Sequence, residues 1–358
     1  MLADTGGSML FENSVGRFPC TLVLLLFLTC KGLSQEEYGF QPVRIMFYNV
    51  ENLFDYSNDS LKDDDDFLPE GVMRWNYSRY SKKIASLYKT IVAAGGWSPP
   101  AIAAFCEVEN RRVLEDLVYG TWLSKYDWGI IHEDSPDERG IDVCLIYRKD
   151  IARLIDFKYR IPTLKKNAEF LSRSVLFATF EILTDTIHVI VNHWPSRRGG
   201  VLAGEDLRIA VSEMVKAVSD SVSDCFSGKA KIIIGGDFNC TPHDLVILKM
   251  TGQSGSVNNK LRPKLINLTD RFFADGSGTY RYLGIWEMID QVIVSDWLLK
   301  CTNGLYTDNH MFTIFKPEFL LKKDPRYPGL TPFSTYRGYR FQGGFSDHLP
   351  VLVDLGFR

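Results

Sequence analysis

From position 43 onward the chain alternates short runs of β-branched and other apolar residues with longer segments whose apolar positions recur every three or four residues. The short runs predict strands at 43–48, 101–106, 141–147, 174–182, 186–193, 230–235, 290–294 and 350–354. The longer segments predict helices at 77–94, with Ile84, Leu87, Tyr88 and Ile91 on one face, at 111–119, and at 203–226, with Leu207, Val211, Met214, Val215 and Val218 aligned. Strands interleaved with helices along the whole chain specify an α/β layered fold. No internal repeat or low-complexity linker interrupts the pattern, so one domain with loop insertions is expected. Two stretches break the rhythm. Residues 55–75 contain Asp63 to Asp66 and read as a solvated acidic loop, with a calcium site as the alternative. Residues 303–345 are rich in aromatics, Gly and Pro, carry few regular signals, and belong to the kind of long loop that borders binding sites.

Upstream, residues 21–30 (TLVLLLFLTC) form one uncharged apolar run, preceded by Arg17 and followed by Gly32-Leu33-Ser34, the pattern of a secretory signal peptide. The run is shorter than the roughly 20 apolar residues of a membrane span, and no second candidate follows. The expected organisation is a signal peptide at 1–34, with Met9 as an alternative start, and a mature domain at 35–358 in the periplasm or outside the cell. A lipid anchor on Cys30 is disfavoured, because Phe27-Leu28-Thr29 lacks the small residues of such a site.

Of 358 residues, 45% are hydrophobic and 24% charged, which excludes collagen-like, disordered and disulfide-scaffold chains. Forty-one Lys and Arg against 44 Asp and Glu give a net charge of -3, so any contact with nucleic acid has to be local rather than a bulk attraction. Cys106, Cys144, Cys225, Cys240 and Cys301 follow the leader. They are odd in number and lack zinc spacing, and Cys106, Cys144 and Cys240 read as small buried hydrophobes.

The informative pattern is where polar residues collect. The run at 43–48 leads into Asn49 and Glu51, 101–106 into Glu107, 186–192 into His193, 230–236 into Asp237 and Asn239, Met288-Ile289 into Asp290, and Phe345-Ser346 into Asp347 and His348. A strand ending in such a group delivers it to the rim of the sheet, where layered α/β folds place their sites. One such ending is an ordinary turn residue; six are a constellation. His132, His188, His243 and His310 have no comparable setting. Carboxylates and amides without clustered Cys or His select a hard cation, Mg²⁺ first and Mn²⁺ or Ca²⁺ as alternatives. Two histidines and the remaining carboxylates supply acid and base. Hydrolysis of a phosphate ester needs that combination.

YNVENLFD (48–55), CEVEN (106–110), RGIDVCLIYR (139–148), NHWPSRRGG (192–200), GGDFNCTP (235–242), Met288 to Gln291 and SDHLP (346–350) together resemble the endonuclease/exonuclease/phosphatase superfamily, in its motif order. The likeness is greatest to secreted bacterial nuclease-like members. It implies a four-layered α/β sandwich, two mixed sheets packed face to face with helices outside. It further implies Glu107 as principal metal ligand with Asp347 beside the same ion, and Glu51 at a second metal-site position where many members carry the shorter Asp. Asn49 would orient the phosphate or the attacking water. Asp237 would position and deprotonate water, and Asn239 would donate to the phosphate. His348, oriented by Asp290, would stabilise the pentavalent phosphorus or shuttle a proton, and His193 would contact the phosphate or assist the leaving group. Arg139 and Arg173 are weaker phosphate contacts.

The resulting expectation is an exported, monomeric, divalent-metal-dependent phosphodiesterase with nucleic acid as substrate. A phosphatase or phosphodiesterase for small molecules or lipid head groups is the alternative, and a non-catalytic binding module is the third reading. Lys165, Lys166, Arg197, Arg198, Arg337 and Arg340 are candidates for a local basic rim, with Tyr336, Tyr339 and Phe341 as base-stacking rings.

Overall fold

The computed structural model describes residues 42–164, 173–197, 204–253 and 265–358. The leader, Cys30, Lys165, Lys166 and Arg198 lie outside them. The strands are β1 (Val43–Leu53), β2 (Ile102–Val108), β3 (Trp128–Ile131), β4 (Asp142–Arg148), β5 (Ala152–Arg160), β6 (Val175–Ile182), β7 (Asp185–His193), β8 (Lys231–Asp237), β9 (Leu265–Asn267), β10 (Tyr280–Tyr282), β11 (Ile285–Glu287) and β12 (Asp290–Ser295). The short β13 (Leu305–Tyr306), β14 (Phe312–Ile314), β15 (Leu321–Lys323), β16 (Leu330–Pro332), β17 (Tyr336–Arg337) and β18 (Arg340–Phe341) precede β19 (Val351–Phe357). The main helices are α1 (Tyr77–Gly95), α2 (Arg111–Tyr119) and α3 (Glu205–Cys225).

One sheet runs β13-β19-β1-β2-β4-β3, with β14 also paired to β19, and the other runs β5-β6-β7-β8-β12-β9. The strand period of two sorts their side chains. Ile45, Phe47, Ala104 and Leu145 of the first sheet are buried in one cluster with Phe180, Val189, Ile233 and Val292 of the second. The alternate residues Met46, Tyr48, Phe105 and Ile146 pack on Ile84, Leu87 and Ile91 of α1 and Val113 and Leu117 of α2. On the far side Ile190, Ile232 and Ile234 pack on Val211 and Val215 of α3. Two buried sheet faces with helices outside make the expected α/β sandwich. Among the described residues no helix is long and apolar enough to cross a membrane.

Each predicted strand and helix is present, but three readings of the connecting segments change. β3, β5, β9, β10 and β11 lie outside the predicted strands, because β5 is too mixed in polarity and the others too short to stand out. The 303–345 stretch holds six short strands where few regular signals are visible, since a two- or three-residue pairing leaves no periodicity to read. The 55–75 stretch is only partly solvated. Trp75 is fully buried, Phe67 stacks on Phe54 at 4.4 Å, and Asp64 is buried with its carboxylate accepting Asp59 N at 2.9 Å. Cys106, Cys144, Cys240 and Cys301 are buried free thiols, and Cys225 is an exposed one.

Strand direction explains the collected polar residues. β1 pairs parallel with β2, and β7 with β8, so Asn49, Glu107, His193 and Asp237 reach the same rim from strands that run toward it. β12 pairs antiparallel with β8, with Asp290 opposite Asp237, and β19 pairs antiparallel with β1. Asp290 and the Asp347-His348 pair therefore sit at the start of their strands rather than at C-terminal ends. A strand of either direction can serve the rim if the right end is used.

The Gly235-Gly236 pair is required where β8 passes the other strands. Gly236 has φ +126, and a Cβ there would lie 2.0 Å from the Asn192 carbonyl oxygen; one on Gly235 would lie 2.6 Å from the Phe47 ring. Gly236→Ala is expected to destabilise the fold by at least about 1–3 kcal/mol from backbone strain alone, before the clash is added. Urea unfolding would measure it, and an unchanged midpoint would contradict the close approach.

Candidate active site

Bulges aim the rim. The register of β1 on β2 shifts between Asn49 and Leu53, and that of β2 on β4 between Cys106 and Val108. At these irregularities Glu51, Asn52 and Glu107 adopt φ of 54°, 54° and 67°, and Asn239 after β8 adopts 47°. Left-handed backbone is unfavourable for such residues and persists where surrounding contacts fix it, as at binding and catalytic sites.

The side chains meet in a cleft of about 520 Å³ lined by Glu107, Arg139, Arg173, His193, Arg197, Asp237, Asn239, Asp347 and His348, with Tyr280, Tyr282 and Glu287 of the β10–β11 hairpin as another wall. Asn49 lies beneath it, its Nδ2 donating to Asp237 Oδ2 at 3.0 Å and Glu107 Oε1 at 3.3 Å, which ties the ends of β1, β2 and β8 together. Glu107 Oε2 accepts Asn52 N at 3.0 Å. Asp237 Oδ1 accepts Asn239 N at 2.8 Å. His193 Nε2 stands 3.6 Å from Asp237 and 3.7 Å from Glu107. His348 sits between carboxylates, with Nδ1 2.7 Å from Asp290 Oδ2 and Nε2 4.0 Å from both Asp237 and Asp347. Thr279 Oγ1 donates to the same Asp290 oxygen at 2.6 Å, and the Tyr280 ring packs against His348 with centroids 4.9 Å apart.

The two histidines are driven in opposite directions. Burial, reinforced by Arg173 and Arg139, holds His193 well below the ordinary imidazole range, so it is neutral. Burial also opposes charge on His348, but Asp290, aided by Asp347 and Asp237, overcomes it and holds His348 well above that range, as an imidazolium. Burial raises Asp237 to about 7, with Asp290 adding to the rise and His348 opposing it. One base poised near neutrality beside one charged donor can deprotonate a water and neutralise a developing oxyanion.

The donor set fits a divalent cation. Glu107 and Asp347 repel one another across the cleft and Asp237 repels Asp290, while Asp290 Oδ1 is buried without a hydrogen-bond partner. Oxygen donors crowded in this way suit a hard ion that relieves their repulsion. Asp237, Asp290 and His348 present ligand atoms within 4.8 Å of one another. His348 Nδ1 is committed to Asp290, and Glu107 and Asp347, the pair that the resemblance implies as ligands of the ion, line the same cleft.

Glu51 is placed differently from the position the resemblance implied. Its two oxygens accept the backbone N–H groups of Thr335 and Tyr336, and it is not among the lining residues. Buried Lys83 donates to Thr335 Oγ1 and to the Phe345 carbonyl at 2.6 Å, so Glu51 and Lys83 together fasten both ends of the loop that leads into Asp347 and His348. Burial lifts Glu51 to about 7, with Asp347 adding and Lys83 opposing, and lowers Lys83 to about 8. The longer Glu side chain reaches past the rim to the loop. Glu51→Gln, which sets an amide NH₂ against a buried N–H, is expected to cost about 1–3 kcal/mol in urea unfolding while leaving the metal concentration for half-maximal activity unchanged. A tenfold rise in that concentration would restore Glu51 as a ligand.

Arg139 and Arg173 both line the cleft, and both are held by Asp137, a residue the sequence did not single out. Arg173 Nε donates to Asp137 Oδ2 at 3.0 Å and its Nη1 to the Trp194 carbonyl at 3.2 Å. Arg139 Nε lies 3.8 Å from Asp137 Oδ1. The same Trp194 carbonyl accepts Asn239 Nδ2 at 2.9 Å, which sets Arg173 beside Asn239. Of the proposed stacking rings, Tyr336 and Phe341 pack with Trp75 in the loop core, 5.3 Å apart, and only Tyr339 is exposed. Tyr280 and Tyr282 line the cleft instead. The only signal for them was proximity to Asp290 in sequence.

The chain matches the family model described as Endonuclease/Exonuclease/phosphatase family over residues 44–356. Among solved structures it is similar to an endonuclease/exonuclease/phosphatase from Bacteroides vulgatus (15% identity, TM-score 0.54, covering 89% of this chain and 100% of that one). It is similar to the mannosyl-6-phosphatase of Bacteroides thetaiotaomicron (15%, 0.54, 88% and 100%) and to D. rerio TDP2 complexed with a single-strand DNA product (11%, 0.52, 88% and 99%). At these identities the likeness is one of fold. None of the curated proteins matches the sequence.

Proposed function

Because the chain belongs to the endonuclease/exonuclease/phosphatase family, whose members are metal-dependent phosphoester hydrolases, we propose that it is a phosphodiesterase acting on nucleic acid. The observation that carries this reading is the gathering, on one rim, of Glu107, Asp237, Asn239, Asp347 and His348 with a wall of arginines beside them. Glu107 and Asp347 would hold a divalent cation, which would supply charge neutralisation on the phosphate oxygens. Asp237, oriented by the Asn239 N–H and the Asn49 amide, takes a proton from the attacking water. His348, held by Asp290, donates toward the phosphorus oxygens as negative charge builds, and Asn239 and Arg173 grip the same group. Neutral His193 assists the departing oxygen.

The apolar run at 21–30 supports a leader over 1–34 and export of the domain 35–358, acting as a monomer on environmental nucleic acid. In relatives of the fold, TDP2 is seen with a DNA product and another member is a mannosyl-6-phosphatase, so the fold accepts both polymeric and small phosphoesters. Glu287 in the cleft wall favours the second reading, a small phosphoester, because a carboxylate repels a continuous polyanion.

A panel of plasmid DNA, RNA, a simple phosphodiester and inositol phosphates, each with Mg²⁺, Mn²⁺ or Ca²⁺, tests the proposal. If Arg139, Arg173 and Arg197 engage backbone phosphates, log kcat/KM on DNA or RNA is expected to fall with log salt with a slope of about -2 or steeper. Salt-insensitive turnover of the small ester alone would replace the nucleic-acid reading.

A further inference from the structure

We infer that His132, Asp134 and Asp142 form a second divalent-cation site, of the zinc type, that fastens the turn between β3 and β4. β3 ends at Ile131 and β4 begins at Asp142, so His132 and Asp142 face each other across the two ends of the turn. Their side chains are 3% and 1% exposed. His132 Nε2 and Asp142 Oδ2 are both buried without a hydrogen-bond partner, and they lie 3.5 Å apart. Two orphaned polar atoms of opposite character that face each other call for something between them.

The spacing identifies what fits. An N–H···O bond closes to 2.7–3.2 Å. Two donors held at roughly 2.0–2.2 Å from one tetrahedral ion stand roughly 3.3–3.5 Å apart. Asp142 Oδ1 accepts Ser135 N at 2.9 Å, which fixes the carboxylate so that Oδ2 turns toward the imidazole, the kind of outer hydrogen bond that orients a ligand. Asp134 brings a third donor: one ligand atom from each of the three residues lies within 4.8 Å of the others, and although Asp134 Oδ1 now lies nearest His132 Nδ1, at 3.9 Å, its exposed side chain has the freedom to swing to the Nε2 side and close on an ion. Water would complete four-coordination. One imidazole with two carboxylates suits Zn²⁺ better than Mg²⁺ or Ca²⁺, which take oxygen sets. The nearby cation, Lys62, is engaged with the carbonyls of Ser135 at 2.8 Å and Asp137 at 3.4 Å rather than with the two carboxylates.

The site is separate from the candidate active site but mechanically joined to it. The turn it closes carries Asp137, which holds Arg173 and Arg139 on the cleft wall. An ion there would brace that wall from behind.

Full-length chain carrying Glu107→Gln, which weakens the cleft site, should, once stripped of metal, take up one Zn²⁺ per molecule at micromolar Zn²⁺, read by atomic absorption. With Co²⁺ in its place, the chain should show the visible absorption of a tetrahedral centre. Adding His132→Gln should remove the ion and the band. Adding the surface change Asp134→Asn, which leaves the core intact, should weaken binding at least tenfold and decides the matter if the His132 variant does not fold. Failure of the Glu107→Gln chain to take up an ion, or binding undiminished by His132→Gln and Asp134→Asn, would overturn the inference and leave a direct His132–Asp142 contact. These readouts do not depend on turnover, so they stand apart from the proposed phosphodiesterase activity.

Discussion

Asp237→Asn is expected to lower kcat by about 10²-fold or more, with a smaller change in KM. The carboxylate touches the site through both oxygens: Oδ1 accepts the Asn239 N–H at 2.8 Å and Oδ2 accepts the Asn49 amide at 3.0 Å, facing His193 and His348. An amide of the same size keeps the first contact but cannot take a proton from water, so the loss falls on the chemical step. The neutral side chain lifts the repulsion with Asp290 but sets its NH₂ against the Asn49 donor and gives up the attraction to His348, which predicts a melting temperature unchanged or modestly lowered. His348→Ala, which strands the buried Asp290 carboxylate, should lose activity on the same scale and stability besides. Steady-state kinetics with thermal melts separates the two effects. If both variants turn over every phosphoester at the wild-type rate, the assignment of the site is wrong.

Removing the cation is expected to have an effect of comparable or larger size. A chelator should abolish turnover, and added Mg²⁺ or Mn²⁺ should restore it. Glu107→Gln should raise the metal concentration for half-maximal activity at least about tenfold, in keeping with the loss of a charged oxygen donor. Excess metal should then recover much of the lost rate. Asp237→Asn should not be recovered that way, because its defect is in proton transfer. A chain fully active in chelator would exclude Glu107 and Asp347 as ligands of an essential ion.

How far the sequence announces this arrangement follows from the length scale of each feature. Long elements are legible: Ile45 and Phe47 against Met46 and Tyr48, or Ile232 and Ile234 against Ile233, already divide the two faces of their strands. The rim is legible as a set of strand ends, and the predicted strands at 290–294 and 350–354 already put Asp290 and His348 at strand starts; only the pairing directions show that arriving and departing strands share one rim. Features made by distant partners are hidden. Glu51 reads as one more rim carboxylate until Thr335 and Tyr336, nearly 300 positions away, present their N–H groups to it. Asp137 reads as a turn residue until Arg173 folds against it. Tyr336 reads as an exposed ring until Trp75 covers it. In each case local chemistry is plain and the partner is supplied only by packing.

The amide of Asn49 joins a carboxylate from each of the two packed sheets. A chain still leaving the ribosome has one of those sheets incomplete and its final acid and imidazole not yet delivered. A hydrolase assembled this way is inert during its own manufacture, and its first opportunity to cut anything comes only once folding is finished.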